Sequence, residues 1–239
     1  MRNEAFKLPL PLERAGGEAL LSTTYFGPVQ WYQKLCRHER IVLEACESFT
    51  KQTYRNRCII ATTNGLQALT VPVEHCLSRY EVRGTSYENT SNPEPRIKDI
   101  RISNHGSWRH QHWNALQSAY SESPFFEYYA DDLRPFFERD YEFLYDLNLD
   151  IMQKMCELLD IHPAVEESQE WTEAPQSSPF GDAPHDFRTA ISPKHPTPDT
   201  DFTPRPYWQV FQHKHGFLPN LSILDLLFCK GPEAIFWLL

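Results

Sequence analysis

The residues best suited to chemistry gather in KQTYRNRCIIATTNGLQALTVPV, from Lys51 to Val73, where a cationic and amide cluster runs into a hairpin signal. Lys51, Tyr54, Arg55, Asn56 and Arg57 fall within one short stretch. Asn64-Gly65 between two β-rich runs predicts a type I′ turn, which needs φ > 0 at both central positions. A strand alternates with period two, so Arg55, Arg57 and Ile59 are expected on one face and Asn56, Cys58 and Ile60 on the other. Two guanidinium forks on a shared face suit an oxyanion such as phosphate, sulfate or carboxylate, because each fork can hold it bidentately. The competing arrangement is a cross-strand charge pair, for which Glu44 and Glu47 on the preceding strand are available.

Other chemistries find less support. His110 with His112, and His213 with His215, are two residues apart; on a helix such positions diverge by about 200°. No HExxH and no paired cysteines accompany them, so no metal is expected. Cys58 sits beside Arg57, yet a strand cysteine is more commonly a small buried hydrophobe than a nucleophile. No GxSxG elbow is present. His112, His215 and Asp225 are the candidates for general acid or base work, although Asp225 also completes a capping box with Ser222. A second anion site would be the turn around Gly27, where a strand leads into a helix whose free N-H groups would face a ligand.

The elements that must position these groups follow from periodicity and turn chemistry. With 239 residues, 41% of them hydrophobic and 13% aromatic, the chain reads as globular. No apolar run reaches the roughly 20 residues needed to cross a bilayer, and the first residues lack a secretory pattern. The six scattered cysteines and the absence of CxxC fit reduced thiols and a cytoplasmic location. A formal charge of −9 argues against nucleic acid and against anionic membrane as partners.

Residues 1–17 read as a flexible arm and 18–239 as a single domain. GEALLSTT is a first strand, YFGPVQWYQKL a helix with Pro28 at its first position, RIVLEACESF a second strand, and RIKDIRIS a strand beyond the hairpin. SWRHQHWNALQSAY is a helix burying Trp108, His112, Ala115, Leu116 and Ala119, with His110 outside. Ser123-Pro124 reads as the start of the next helix, and Pro135 as the start of another. Apolar periodicity then runs from Phe136 to Leu159, in one helix or in two broken near Asp146. Residues 162–206 hold nine of the nineteen prolines and read as a loop or lid, in which DFRTAISPK has the composition to lie across a site. Order returns with SILDLLFCKG, capped by Asn220 or Ser222 and stopped by Gly231, and a short helix follows Pro232. The fold class expected is α/β or α+β: an N-terminal mixed sheet with a hairpin, covered by C-terminal helices.

Taken together, YFGPVQWYQKL, KQTYRNRCII with its Asn-Gly turn, WRHQHWNALQSAY, SPFFEYY and YWQVFQHKHGFLPNLSILDLLFCKGPEA resemble the WbqC-like family of bacterial proteins over about residues 19–239. Many members carry HQPxYxPWxGYF at the first strand and turn; this chain keeps Tyr25, Pro28 and Tyr32 and lacks the His-Gln-Pro. The resemblance implies a role near surface polysaccharide and O-antigen assembly, with sugar-nucleotide or acyl-transfer chemistry. The polar residues of the matching motifs become the site candidates. Tyr25, Lys51, Tyr54, Arg55, Asn56, Arg57, Gln209, Asn220 and Ser222 would contact a small phosphorylated or sugar ligand, and His112, His215 and Asp225 would move protons. A non-catalytic glycan- or partner-binding role, and a nucleotide-binding enzyme using the Gly27 turn, are the alternatives. No cofactor is expected, and the oligomeric state is left open.

Overall fold

The fold is that of a computed structural model, which describes residues 17–74, 95–171, 185–194 and 196–239. The N-terminal arm, Cys76 and most of the polar stretch after the hairpin lie outside the described residues. The class is α+β, with strands mainly in the N-terminal half and helices in the C-terminal half.

Four strands form one all-parallel sheet. β1 (Glu18–Ser22) pairs with β2 (Arg40–Glu44) in the register Glu18↔Arg40 to Ser22↔Glu44. Two short strands from the proline-rich stretch complete it: β5 (Val165–Glu167) beside β2, and β6 (His185–Asp186) beside β1. The order is β5-β2-β1-β6. Parallel strands are covered on both faces, which is why EALLS and RIVLE carry nearly unbroken apolar runs. Two and three residues of strand are too short for periodicity to reveal, so a composition that reads as loop conceals both sheet edges.

The β1–β2 crossover is α1 (Val29–Arg37), whose residues from Val29 to Leu35 are all buried. Pro28 takes the cap position rather than the first helical one. The hairpin forms its own two-stranded antiparallel sheet, β3 (Arg57–Thr62) with β4 (Gly65–Thr70). Its turn differs from expectation. Pairing closes at Thr62↔Gly65, so Thr63 and Asn64 are the central residues, and of the turn only Gly65 has positive φ, at 102°. The glycine absorbs the left-handed conformation alone, as in a bulged turn.

The helical half comprises α2 (Trp108–Tyr120), α3 (Phe126–Leu133), α4 (Pro135–Glu138), α5 (Leu144–Leu158), α6 (Gln212–His215), α7 (Ile223–Lys230) and α8 (Ile235–Leu238). As expected, α2 buries Trp108, His112, Leu116 and Ala119 and leaves His110 exposed. Three expectations need correction. RIKDIRIS is a 3₁₀ turn at Ile97–Asp99 flanked by isolated bridges, because its neighbours at Val73, Phe143 and Ser48 each offer one pairing residue. Ser123 ends α2 by donating from Oγ to the Tyr120 carbonyl at 2.6 Å, and α3 starts three residues later. The long apolar run breaks between Glu138 and Leu144, not near Asp146, because Phe143 pairs with Arg101 there.

The C-terminal segment joins the halves. Val29 N donates to the Leu221 carbonyl at 3.0 Å, Gln30 N to Asn220 Oδ1 at 3.0 Å, and Ile223 N to the Gly27 carbonyl at 2.8 Å. Ser222 N donates to Ile59 of β3 at 2.8 Å, and its hydroxyl to the Phe26 carbonyl at 2.8 Å. Asn220 therefore caps α1 from 190 residues away, in the left-handed region at φ 54°.

That double role predicts an order of stabilities. Asn220→Gly removes the cap and the Nδ2 bond to Gln30 Oε1 but suits the left-handed backbone, and should lower unfolding free energy by about 1 kcal/mol. Asn220→Ala loses the same bonds and lacks both the freedom of glycine and the left-handed tolerance of asparagine, so it should lower it by roughly 1–2 kcal/mol more. Urea denaturation of the two variants checks the order; an alanine variant as stable as the glycine one would disprove the cap-plus-conformation account.

Candidate functional site

In an open parallel sheet, ligands bind outside the carboxyl ends of the strands, where loops carry polar groups and no ladder closes the space. Here those ends are Ser22 of β1, Glu44 of β2 and Asp186 of β6. A small cavity lies against them. Its walls are Leu21 and Ser22 at the end of β1, Thr23 and Thr24 beyond it, Trp31 of α1, Tyr54 and Arg55 before β3, and Phe187, Arg188 and Ile191 after β6. At about 10 Å³ it has room for roughly one water molecule.

Two arginines and their acids build the electrostatics. Arg55 donates from Nε to Glu47 Oε1 at 2.7 Å and from Nη2 to Glu47 Oε2. The same Nη2 donates to Ser22 Oγ at 2.8 Å, and the Ser22 hydroxyl donates to Glu47 Oε2 at 2.9 Å. This side-on pairing uses Nε and Nη2 and leaves Nη1 without a partner among the described residues. Arg188 donates to Asp186 at 3.0 and 2.7 Å and to Glu44 Oε2 at 3.3 Å, and its guanidinium stacks 4.5 Å from the Trp171 ring centroid. Glu44, fully buried, also accepts from Cys46 N at 2.8 Å and Ser168 Oγ at 2.6 Å. Asn148 donates to the Arg55 carbonyl at 2.8 Å and so fixes the turn that carries the arginine. The Thr24 hydroxyl is buried without a partner among the described residues.

Charges this deep are costly unless paired and hydrogen-bonded, and pairing them seldom stabilises a fold more than apolar packing would. A two-arginine, three-carboxylate cluster at the strand ends therefore points to a site rather than to scaffolding.

Of the residues singled out in the sequence, Tyr54 and Arg55 line this cavity. Burial, and secondarily Cys58, pushes the Tyr54 hydroxyl up to about 12. The others go elsewhere. Arg55 precedes β3, so it does not share a strand face with Arg57, whose Nε donates to Thr70 Oγ1 across the hairpin at 3.1 Å. Lys51 is exposed, and Asn56 Nδ2 donates to the Val71 carbonyl at 2.9 Å. Tyr25 and His112 form a buried pair, Oη to Nδ1 at 2.9 Å. His215 clasps the hairpin turn through the Thr62 and Thr63 carbonyls at 3.2 Å. Asp225 is not a capping-box residue. Fully buried, it accepts from Tyr207 at 2.7 Å, Tyr120 at 2.9 Å and Gln209 at 3.1 Å, while burial raises its pKa against those bonds. Gln209 is committed further, bonding both N-H and carbonyl of Leu218.

The Gly27 turn does not offer an anion site. Its first helical N-H groups are taken by Leu221 and Asn220, and a Cβ at Gly27 would meet Thr24 Oγ1 at 2.3 Å. Ser22, Thr24, Trp31, Glu47 and Arg188 were not chosen as site residues from the sequence. The polar run Ser22-Thr23-Thr24 at the end of a strand that leads into a helix was the available signal. Among the described residues, no group of three His, Cys, Asp or Glu is placed to hold a metal ion, and no helix is long and apolar enough to cross a membrane.

Comparison with known proteins adds two findings. The description of the WbqC-like protein family matches residues 23–186. The chain is also 26% identical over 236 residues to an uncharacterized protein of Mycobacterium tuberculosis, Rv1507c, covering 90% of this chain and 94% of that protein. No solved structure matches.

Burial lowers the His112 pKa to about 4, against a smaller opposing pull from the Thr70 carbonyl. The ring is thus neutral in the native state and protonates near 6.5 once unfolded. Its contribution to stability is complete above pH 6.5 and is lost as pH falls toward 4, reaching about 3 kcal/mol. Urea midpoints between pH 7.5 and 4.5 should fall in the wild type and flatten in His112→Gln. A His112 ring resonance that titrates near 6.5 in the native protein would contradict this.

Proposed function

The chain belongs to the WbqC-like protein family, and from that premise we propose that it is a transferase-type enzyme of bacterial cell-surface polysaccharide biosynthesis. In this reading it binds the anionic group of a sugar-bearing or acyl-bearing donor at the carboxyl ends of its parallel strands. The observation that carries the reading is the Ser22–Glu47–Arg55 cluster, buried at the edge where open sheets take their ligands. Arg55 keeps the Nη1 edge of its guanidinium for the donor anion, while Glu47 holds the other edge in place. Fixed cations of this kind stabilise the charge that develops on a departing anionic group, commonly the largest catalytic term. Proton removal from the acceptor runs as a relay: the acceptor O-H proton passes to Ser22 Oγ as the serine's own proton passes to Glu47 Oε2, the carboxylate to which it donates at 2.9 Å. His112 and His215 do not line the cavity.

A second reading is favoured by a specific observation: both cavity arginines face acids. A protein that only holds a glycan or a partner of the same pathway would need such pairs for rigidity and would carry no reactive group tuned for catalysis.

The test is a thermal-shift screen of nucleotides, sugar nucleotides, acyl-CoAs and simple oxyanions, followed by NMR of any hit for slow donor turnover. Arg55→Ala alone would leave Glu47 buried and unpaired, so the paired control is Arg55→Met with Glu47→Met. A ligand at a hundred times its Kd should stabilise the wild type by about 2.7 kcal/mol, and the double variant should fold and show no shift. Binding with turnover supports the transferase; binding without turnover supports the second reading. A ligand that shifts wild type and double variant equally would place the site elsewhere.

A further inference from the structure

The cavity is too small for the ligand class proposed for it. Small-molecule sites span roughly 300–1,000 Å³, against about 10 Å³ here. One wall must therefore move, and the walls are unequal in attachment. Leu21 and Ser22 belong to a central strand, laddered on both sides. Trp31 is in a buried helix and donates to the Ser22 carbonyl at 2.9 Å. The turn Phe187–Ile191 differs. Among the described residues, its backbone joins the sheet through Phe187 N to the Leu20 carbonyl at 3.0 Å and Arg188 N to Asp186 Oδ1 at 3.0 Å, and otherwise bonds locally, Ile191 N to Phe187 O at 3.0 Å and Thr197 N to Thr189 O at 3.3 Å. Side chains hold it down: Phe187, Ala190 and Ile191 are buried, and Arg188 reaches Glu44.

The residues left behind are prepared for its departure. Without Arg188, Glu44 keeps its bonds from Cys46 N and Ser168, and Glu47 keeps Arg55. Arg188 itself keeps Asp186, two residues before it at the end of β6, as a bidentate partner within reach of its long side chain. Lifting the turn costs one bond of the short β1–β6 ladder, Phe187 N to the Leu20 carbonyl, and leaves Glu44, Glu47 and Arg188 each with hydrogen bonds.

We propose that Phe187–Ile191 is a strap that lifts to admit the ligand and closes over it, bringing Arg188 to the ligand anion as a second guanidinium beside Arg55. This rests on the reading that the cavity is the ligand site. The strap selects ligands whose anionic group can engage two arginines, such as a phosphate or diphosphate, over singly contacted neutral sugars.

Hydrogen exchange with mass spectrometry on the intact wild type tests it, first without ligand and then with inorganic phosphate or uridine diphosphate as probe. Without ligand, amides of 187–191 should exchange at least a hundredfold faster than those of Leu20–Ser22 and Ile41–Leu43. Asp186→Asn should accelerate the strap at least fivefold while the melting temperature moves little, and a bound probe should slow it. Exchange of 187–191 in step with β1 and β2 would overturn the strap, because the turn would then open only with the whole fold. The two proposals fail separately. A strap that opens while no anion or donor binds counts against the assigned ligand site, whereas a donor that binds with the strap already fully protected counts against the strap alone.

Discussion

The fold depends on the stitch made by residues 220–223 between the α1 N-terminus and β3. A helix leaves its first N-H groups without intrahelical partners, and α1 is buried along most of its length, so water cannot supply what is missing. Leu221 and Asn220 supply it. Ser222 simultaneously bonds Ile59 on the hairpin and the Phe26 carbonyl before α1. One tetrapeptide thus satisfies three elements that have few other reasons to meet. Behind it, Asp225 draws Tyr120 of α2, Tyr207 and Gln209 onto α7, so the stitch is itself anchored in the helical half.

That solution has a consequence for chemistry. In strand–turn–helix units the helix N-terminus is a natural anion site, but here it is consumed by the protein's own C-terminal segment. The remaining place where an open sheet can receive a ligand is beyond the carboxyl ends of β1, β2 and β6, and the buried charges concentrate there. The same sheet therefore decides where the arginines go. Glu44 and Glu47 are the last residue of β2 and a residue just beyond it, and each receives a guanidinium from a different direction in the chain.

How much of this was legible in the residues depends on the range of the interaction that decides each feature. Local chemistry was readable: the α2 face, the hairpin, Pro135 at the start of α4 and Gly231 at the end of α7 each follow from a few adjacent residues. Glu47 was available as a partner for the arginines and does pair with Arg55, but not across strands: β2 and β3 lie in different sheets, and the pair joins the turns outside them. Features decided by distant partners were not readable. Asp225 resembles a capping residue until three partners from other segments converge on it. The two edge strands are invisible because a strand of two or three residues takes its conformation from the strand beside it, not from its own pattern. Asn220 caps a helix 190 residues away, a relation no spacing rule covers.

The proline-rich stretch resolves a tension between composition and role. The β1–β6 ladder ends at Phe187, and the prolines at 193, 196 and 198, which lack N-H donors, keep the stretch that follows out of the sheet. Beyond the Phe187 N bond to Leu20, the described residues hold Phe187, Arg188 and Ile191 to the sheet mainly through side chains, and side-chain attachment lets a piece of structure open without unfolding its neighbours. Low local stability and a buried ionic contact would be contradictory in a scaffold element. They are compatible where the same arginine has two acceptable partners, an acid of the protein when the site is closed on nothing and an anion when it is closed on a ligand.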